Sequence, residues 1–120
     1  MTYNEELRDK IVKDNPNLYR HNISFECNDG WLPIIADLST KLEAIISQYE
    51  QPDCFYAVQV KEKFAGLRFY MSVSNDTIDD LIDEAEDLCR VTCELCGQPG
   101  ISRGVRWFQV KCDSCNAKTI

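Results

Sequence analysis

Histidine is almost missing from this chain. The single His21 lies between Arg20 and Asn22 in a polar stretch, a setting that suits a solvated or structural residue better than a catalytic one. There is no carboxylate–histidine motif and no glycine-rich phosphate loop, so the usual marks of acid–base and phosphoryl-transfer chemistry are lacking. No run approaches the ~18 apolar residues that a membrane-crossing helix needs. The N-terminus, Met1-Thr2-Tyr3-Asn4-Glu5-Glu6, has no basic region followed by an apolar one and does not read as a secretory signal. Internal repeats and low-complexity tracts are absent too. A hydrophobic fraction of 44% argues against disorder. What remains is a 120-residue chain, enough for one compact domain with a small appendage.

Cysteine, by contrast, is abundant, with seven residues. Four of them form Cys93-Glu94-Leu95-Cys96 and Cys112-Asp113-Ser114-Cys115, separated by the fifteen residues Gly97 to Lys111. Two Cys-x-x-Cys pairs at this spacing are a strong metal signal. Four thiolates can close a tetrahedral shell, and Zn²⁺ prefers that shell in structural sites. Iron in a rubredoxin-like site is the alternative that sulfur ligands leave open. A filled shell has no place for substrate, unlike a zinc deaminase, which keeps a metal-bound water beside a Glu. The expected role is therefore folding and recognition, and the chain is not expected to be an enzyme. A thioredoxin-type pair would need a βαβ setting that is not evident. Many cysteines without a leader favour a reducing compartment, so a cytoplasmic location is expected. Gly97 and Asn116 each follow a pair, and both tolerate the left-handed backbone that a knuckle often requires. Cys89 extends an apolar helical stripe and belongs to the core; Cys27 and Cys54 read as buried or inert thiols.

The periodicity gives the rest of the architecture. Leu7, Ile11 and Val12 mark a helix over 5–14, ended by Asn15-Pro16-Asn17. A short extended piece is expected around Ile23-Ser24-Phe25. Asp29-Gly30 opens a stronger helix, whose face carries Trp31, Ile34, Ile35, Leu38, Leu42, Ile45 and Tyr49; Gln51-Pro52-Asp53 stops it. Residues 55–62 and 67–74 read as a β-hairpin turning at Ala65-Gly66. Its inner face would carry Tyr56, Val58 and Val60, then Leu67, Phe69, Met71 and Val73. Asn75-Asp76-Thr77 caps a third helix with Ile78, Leu81, Ile82, Ala85, Leu88 and Cys89 inward. Between the cysteine pairs, Val105, Trp107, Phe108 and Val110 suit short strands, with Trp107 or Phe108 covering the metal. Only five residues follow Cys115. No helix is expected there, which favours a zinc ribbon over a treble clef.

Charge divides the chain unevenly. Residues 90–120 hold five basic and two acidic side chains, a balance of +3 that four thiolates and one Zn²⁺ bring near +1. Residues 1–89 stand at −10. Several surfaces are candidates for a partner. The third helix carries Asp79, Asp80, Asp83, Glu84 and Asp87 outward. The hairpin collects Lys61, Lys63 and Arg68 around its turn, with Phe64 as an interaction anchor if exposed and a core residue if buried. Lys63 and Arg68 can equally pair with the acidic helix. Arg103, Arg106, Trp107, Phe108 and Lys111 mix cations and aromatics as single-strand binding surfaces do.

The segment Val58-Gln59-Val60-Lys61-Glu62-Lys63-Phe64-Ala65-Gly66-Leu67-Arg68-Phe69-Tyr70 resembles a motif of small bacterial and phage proteins of uncharacterised function, read roughly as Gln-Val-Lys-Glu-Lys-Phe-Gly-x-Leu-Arg-Phe-Tyr. In that family an acidic helix, a Cys-Glu-x-Cys-Gly and a terminal Cys-Asp-x-Cys follow, as they do here. Asp29-Gly30-Trp31 precedes, so the resemblance spans roughly residues 25–116. Ala65 departs from it where Gly is expected. The resemblance implies an architecture and a bacterial or phage origin, and no activity.

The expectation is thus an α+β fold: two helices, a β-hairpin and a third acidic helix, followed by a C-terminal zinc ribbon. Residues 1–90 would form the acidic body, and residues 91–120 a four-cysteine ribbon packed on it, holding Zn²⁺ through Cys93, Cys96, Cys112 and Cys115. The expected function is non-enzymatic binding of a protein partner, in one form as an inhibitor of a host nucleic-acid-handling or defence complex. The alternative is a nucleic-acid-binding regulator that uses the ribbon tip. No membrane association is expected, and the oligomeric state is left open.

Overall fold

A computed structural model describes residues 3–118. Asn4 starts the first helix, α1 (Glu5–Asp14): its Oδ1 accepts the Leu7 N–H at 3.1 Å. The face with Leu7, Ile11 and Val12 packs inward, but it is not purely apolar. Arg8 shares it and is only 4% exposed. The guanidinium donates to Phe25 O at 2.6 Å, to Cys27 O at 2.7 Å and to Asp29 Oδ1 at 3.0 Å. One buried cation therefore pins the whole 25–29 segment against α1. Asn15 finishes the helix by donating from Nδ2 to Ile11 O at 2.8 Å.

Phe25–Glu26 form a short strand, β1, and Asp29–Trp31 a 3₁₀ turn that leads into α2 (Leu32–Ile46). Pro33 lies in the first turn of α2, where its missing N–H costs nothing. Trp31, Leu32, Ile35, Leu38, Leu42 and Ile46 are buried, so α2 is the axis of the core. Ile34 and Ile45 are half-buried at its margin. The helix stops at Ile46, and Tyr49 lies beyond it, accepting a hydrogen bond from Asn75 Nδ2 at 2.9 Å.

The hairpin is β2 (Ala57–Lys63) and β3 (Gly66–Met71). The sheet order is β1-β2-β3, with β1 parallel to β2 and β2 antiparallel to β3. The expected inner face holds for Val60, Leu67 and Phe69, but not for Val58. The pairing shifts between Ala57 and Gln59, a β-bulge that places one extra residue on β2. Side-chain alternation reverses across it, so Ala57 turns inward and Val58 faces solvent. Val73 lies past the end of β3 and is exposed.

Asn75 caps α3 (Asp76–Cys89), its Oδ1 accepting the Ile78 N–H at 2.9 Å. Ile78, Ile82, Ala85 and Cys89 are buried and Leu81 is half-buried, whereas Leu88 is exposed at the edge of the stripe. Sheet and helix are joined by Glu86, which accepts the Phe69 N–H at 3.3 Å. Burial pushes the Glu86 carboxyl up, against that hydrogen bond. Lys63 and Arg68 do not make the expected ion pairs with α3 among the described residues. Arg68 Nη1 donates to Leu67 O at 3.2 Å instead.

Past α3, β4 (Ile101–Arg103) pairs antiparallel with β5 (Gln109–Lys111). A short helix, α4, then runs Asp113–Lys118. The two-stranded ladder is what a ribbon requires; the helix is not. Asn116 donates its N–H to Cys112 O at 2.9 Å, an i→i−4 bond that starts a helical turn within the second cysteine pair. Asn116 is therefore helical, not left-handed as expected from its position. The order of knuckle, hairpin and helix is that of a treble clef. No helix among the described residues is long and apolar enough to cross a membrane.

Replacing Arg8 by Met keeps the stem but removes the guanidinium from the Phe25 and Cys27 carbonyls and from the Asp29 carboxylate, which keeps the Asn4 N–H at 2.7 Å. Urea unfolding of Arg8→Met is expected to show a loss of about 3 kcal/mol or more. A loss under about 1 kcal/mol would mean that water replaces the guanidinium at little cost.

Candidate metal centre

The first cysteine pair is held by a tight backbone turn. Gly97 N–H donates to Cys93 O at 2.9 Å, and Cys93 N–H donates to Gln98 O at 2.6 Å. Gly97 takes φ 84°, the conformation expected for it. The β4–β5 hairpin then returns the chain so that Glu94 N–H donates to Val110 O at 2.9 Å. Val110 is fully buried in the same core as α2, which ties this unit to the body. The second pair sits at the start of α4, where Cys115 N–H points at Cys112 Sγ at 3.3 Å.

The four sulfurs of Cys93, Cys96, Cys112 and Cys115 all lie within 4.8 Å of one another. Cys96 and Cys112 Sγ are 3.6 Å apart. A tetrahedral shell with metal–sulfur bonds of about 2.3 Å has sulfur–sulfur edges of about 3.8 Å, so the group fits one ion. Among the described residues, no other group of three or more His, Cys, Asp or Glu side chains is close enough to hold a metal. Cys93 and Cys112 are buried, Cys115 is half-buried and Cys96 is exposed.

The thiols influence one another strongly. Burial pushes the Cys93 thiol up, but the backbone N–H groups of Cys112, Cys96 and Leu95 outweigh it and bring it to about 7. Cys115 is pushed up to about 12 by the neighbouring sulfurs of Cys112 and Cys96. Cys96 is also raised: the Gln98 N–H lowers it, and burial with Cys112 prevails. Crowded thiols behave this way: the proton of Cys93 leaves readily, and those of Cys96 and Cys115 are retained until a cation arrives.

The most informative contacts lie just outside the shell. Glu94, between the two cysteines of the first pair, is 3% exposed. Its carboxylate accepts the Asn28 N–H and Asn28 Nδ2, each at 2.9 Å, and Gln109 Nε2 at 3.1 Å. Its carbonyl accepts the Gly30 N–H at 2.7 Å. Trp31 Nε1 donates to Thr92 O at 2.9 Å. Gly30 is fixed by this close approach: a Cβ there would lie 2.2 Å from Cys93 O and 2.4 Å from Glu94 O. Asn28 and Glu94 belong to the site although neither has a residue type or spacing that marks it in the sequence.

The other candidates fall in three places. Asp79, Asp80, Asp83, Glu84 and Asp87 line an exposed face of α3, and Asp87 is paired with Arg90 at 2.7 Å. Arg103 is structural: it donates from Nε to Lys111 O at 2.9 Å and from Nη2 to Asp113 Oδ1 at 2.6 Å. Phe64 and Lys63 at the β2–β3 turn meet Arg106, Trp107 and Phe108 across one cleft, whereas Lys61 and Arg68 are half-buried along the strands. Trp107 does not cover the metal group; it is 79% exposed. Outside the shell, Cys27 is pushed up to about 12, first by burial and then by the Glu94 carboxylate. Cys89 is buried as expected, whereas Cys54 is exposed. His21 is exposed and meets Tyr56 edge-on at 4.3 Å.

Comparison with known proteins finds no match to a family model, a curated protein or a solved structure.

Metal binding must displace protons from Cys96 and Cys115 at neutral pH, and from Cys93 as well below about 7. Stability contributed by the ion is thus present at higher pH and lost as pH falls. Competition with a chromophoric chelator is expected to show affinity dropping about tenfold or more for each pH unit below 7. A flat profile from pH 8 to 6 would contradict a shell of four thiolates.

Proposed function

We propose that this protein is a non-enzymatic, zinc-stabilised binding module that engages a protein partner. The observation that carries the reading is the closed arrangement of four cysteine sulfurs within 4.8 Å, which leaves an ion no open position for substrate or water. Zn²⁺ suits such a shell better than iron where no redox chemistry is asked of it. Recognition then belongs to the surface. Two features support a protein partner: the exposed acidic face of α3, and the exposed aromatic side chains at the hairpin tips.

In a bacterial or phage setting, the charge row Asp79, Asp80, Asp83, Glu84 and Asp87 supports the narrower form, an inhibitor that presents acidic side chains where DNA would lie in a host complex. The second reading, a nucleic-acid-binding regulator, is favoured by Trp107 standing exposed beside Arg106. The net charge of −7 weighs against it, because phosphates are repelled by the body.

Affinity purification of the tagged full chain from bacterial cells, with zinc analysis of the eluate, separates these readings. One zinc per chain with a stoichiometric protein partner is expected. Nucleic acid that co-purifies and is released by salt would replace the first reading by the second. Partner binding that survives neutralisation of the five α3 carboxylates would remove the DNA-mimic form alone.

A further inference from the structure

The β2–β3 turn is built from Phe64 and Ala65 at φ 52° and 62°. Two-residue hairpin turns with both central residues at positive φ favour Asn-Gly, and a bulky side chain there is strained. Ala65 at least gains burial; Phe64 does not, being 72% exposed. Strain at a tip, with no packing to offset it within the chain, points to a contact outside the chain.

A second tip faces this one. Gly104, at φ 126°, makes the β4–β5 connection so tight that a Cβ would lie 1.8 Å from Trp107 O. The connection presents Trp107 and Phe108 toward Phe64, and the two tips enclose a cleft of about 190 Å³. Its rim carries two cations. Lys63 Nζ lies 5.6 Å from the Phe64 ring centroid, and Arg106 is exposed on the other wall. Neither forms an ion pair among the described residues. The one carboxylate of the lining, Glu62, is engaged by the Ala65 N–H at 3.0 Å.

We infer that this cleft docks a short segment of a protein partner in which an apolar or aromatic side chain is flanked by carboxylates. The inference rests on the protein-partner reading above and assigns it a surface. The aromatic walls take the apolar side chain, and Lys63 and Arg106 take the carboxylates. A nucleic-acid strand fits less well. It needs cations along a path of successive phosphates, whereas this cleft is one or two side chains long on a chain of net charge −7.

A random-peptide display library selected on the metal-loaded full chain tests the assignment. Peptides with one aromatic or large aliphatic residue beside Asp or Glu are expected to be enriched. Their binding should fall about tenfold or more in Phe64→Asn and in Trp107→Ala. Phe64→Asn removes the ring while suiting the turn, so loss of binding there does not reflect misfolding. Asp80→Asn/Asp83→Asn on α3 should leave the peptides bound. No enrichment, enrichment of basic peptides, or unchanged binding to both cleft variants overturns the assignment. If the purified protein partner stays bound to both variants, the cleft is wrong and the protein-partner reading stands. If an oligothymidylate binds and is lost in the same variants, both fall.

Discussion

The junction between Asn28–Trp31 and Thr92–Glu94 is the constraint on which the structure depends. The 3₁₀ turn at Asp29–Trp31 and the start of α2 have no side-chain cap of their own. Their donors are satisfied from the far end of the chain: Asn28 by the Glu94 carboxylate, Gly30 by the Glu94 carbonyl, and the Trp31 indole by the Thr92 carbonyl. Buried donors left unpaired are costly, so this segment is destabilised when Glu94 is displaced. Glu94 in turn lies between Cys93 and Cys96, two of the four cysteines whose sulfurs cluster closely enough to hold an ion. An ion held by the four cysteines would order the knuckle, and through it Glu94 and the entry to the central helix. Arg8 supports the same segment from the other side through Phe25, Cys27 and Asp29. Ligand pair and body are thus one cooperative structure.

The parts of this arrangement that could be read from the sequence are those set by local rules. The spacing of Cys93, Cys96, Cys112 and Cys115 identifies the site by itself. Asn75 caps α3 where its side chain predicts, and Asn15-Pro16 ends α1; α2 stops at Ile46, five residues before the expected Gln51-Pro52-Asp53, and Pro52 opens a 3₁₀ turn of its own. The bulge beside Val58, the parallel pairing of β1 and the helix at Asp113 are settled by tertiary context, and none has a clear local mark. Glu94 carried no signal, since a carboxylate between two cysteines looks like ordinary surface charge. Arg8 did carry one. Arg8, Ile11, Val12 and Asn15 share the i, i+3, i+4, i+7 spacing of a single helix face, so a buried cation was readable there.

Surface and core follow opposite rules in this protein. In the core every polar side-chain atom of the described residues finds a partner: Arg8 is paired with Asp29, and the Glu94 carboxylate is held by the amides of Asn28 and Gln109. At the two hairpin tips the chain instead accepts left-handed backbone at Phe64 and leaves large aromatics in water. Neither feature stabilises the fold. Their convergence depends on the β4–β5 hairpin being docked on the body through Val110. A binding surface assembled this way would be lost with the ion, although none of the cleft residues is among the four cysteines.

The most direct test of this account is hydrogen exchange of the Asn28 and Gly30 amides in the full chain, with metal bound and after chelation. The account predicts that removing the ion exposes both amides together with the Cys93–Cys96 turn, while amides in the middle of α2 exchange more slowly than either. Protection that persists at Asn28 and Gly30 while the knuckle opens would contradict it.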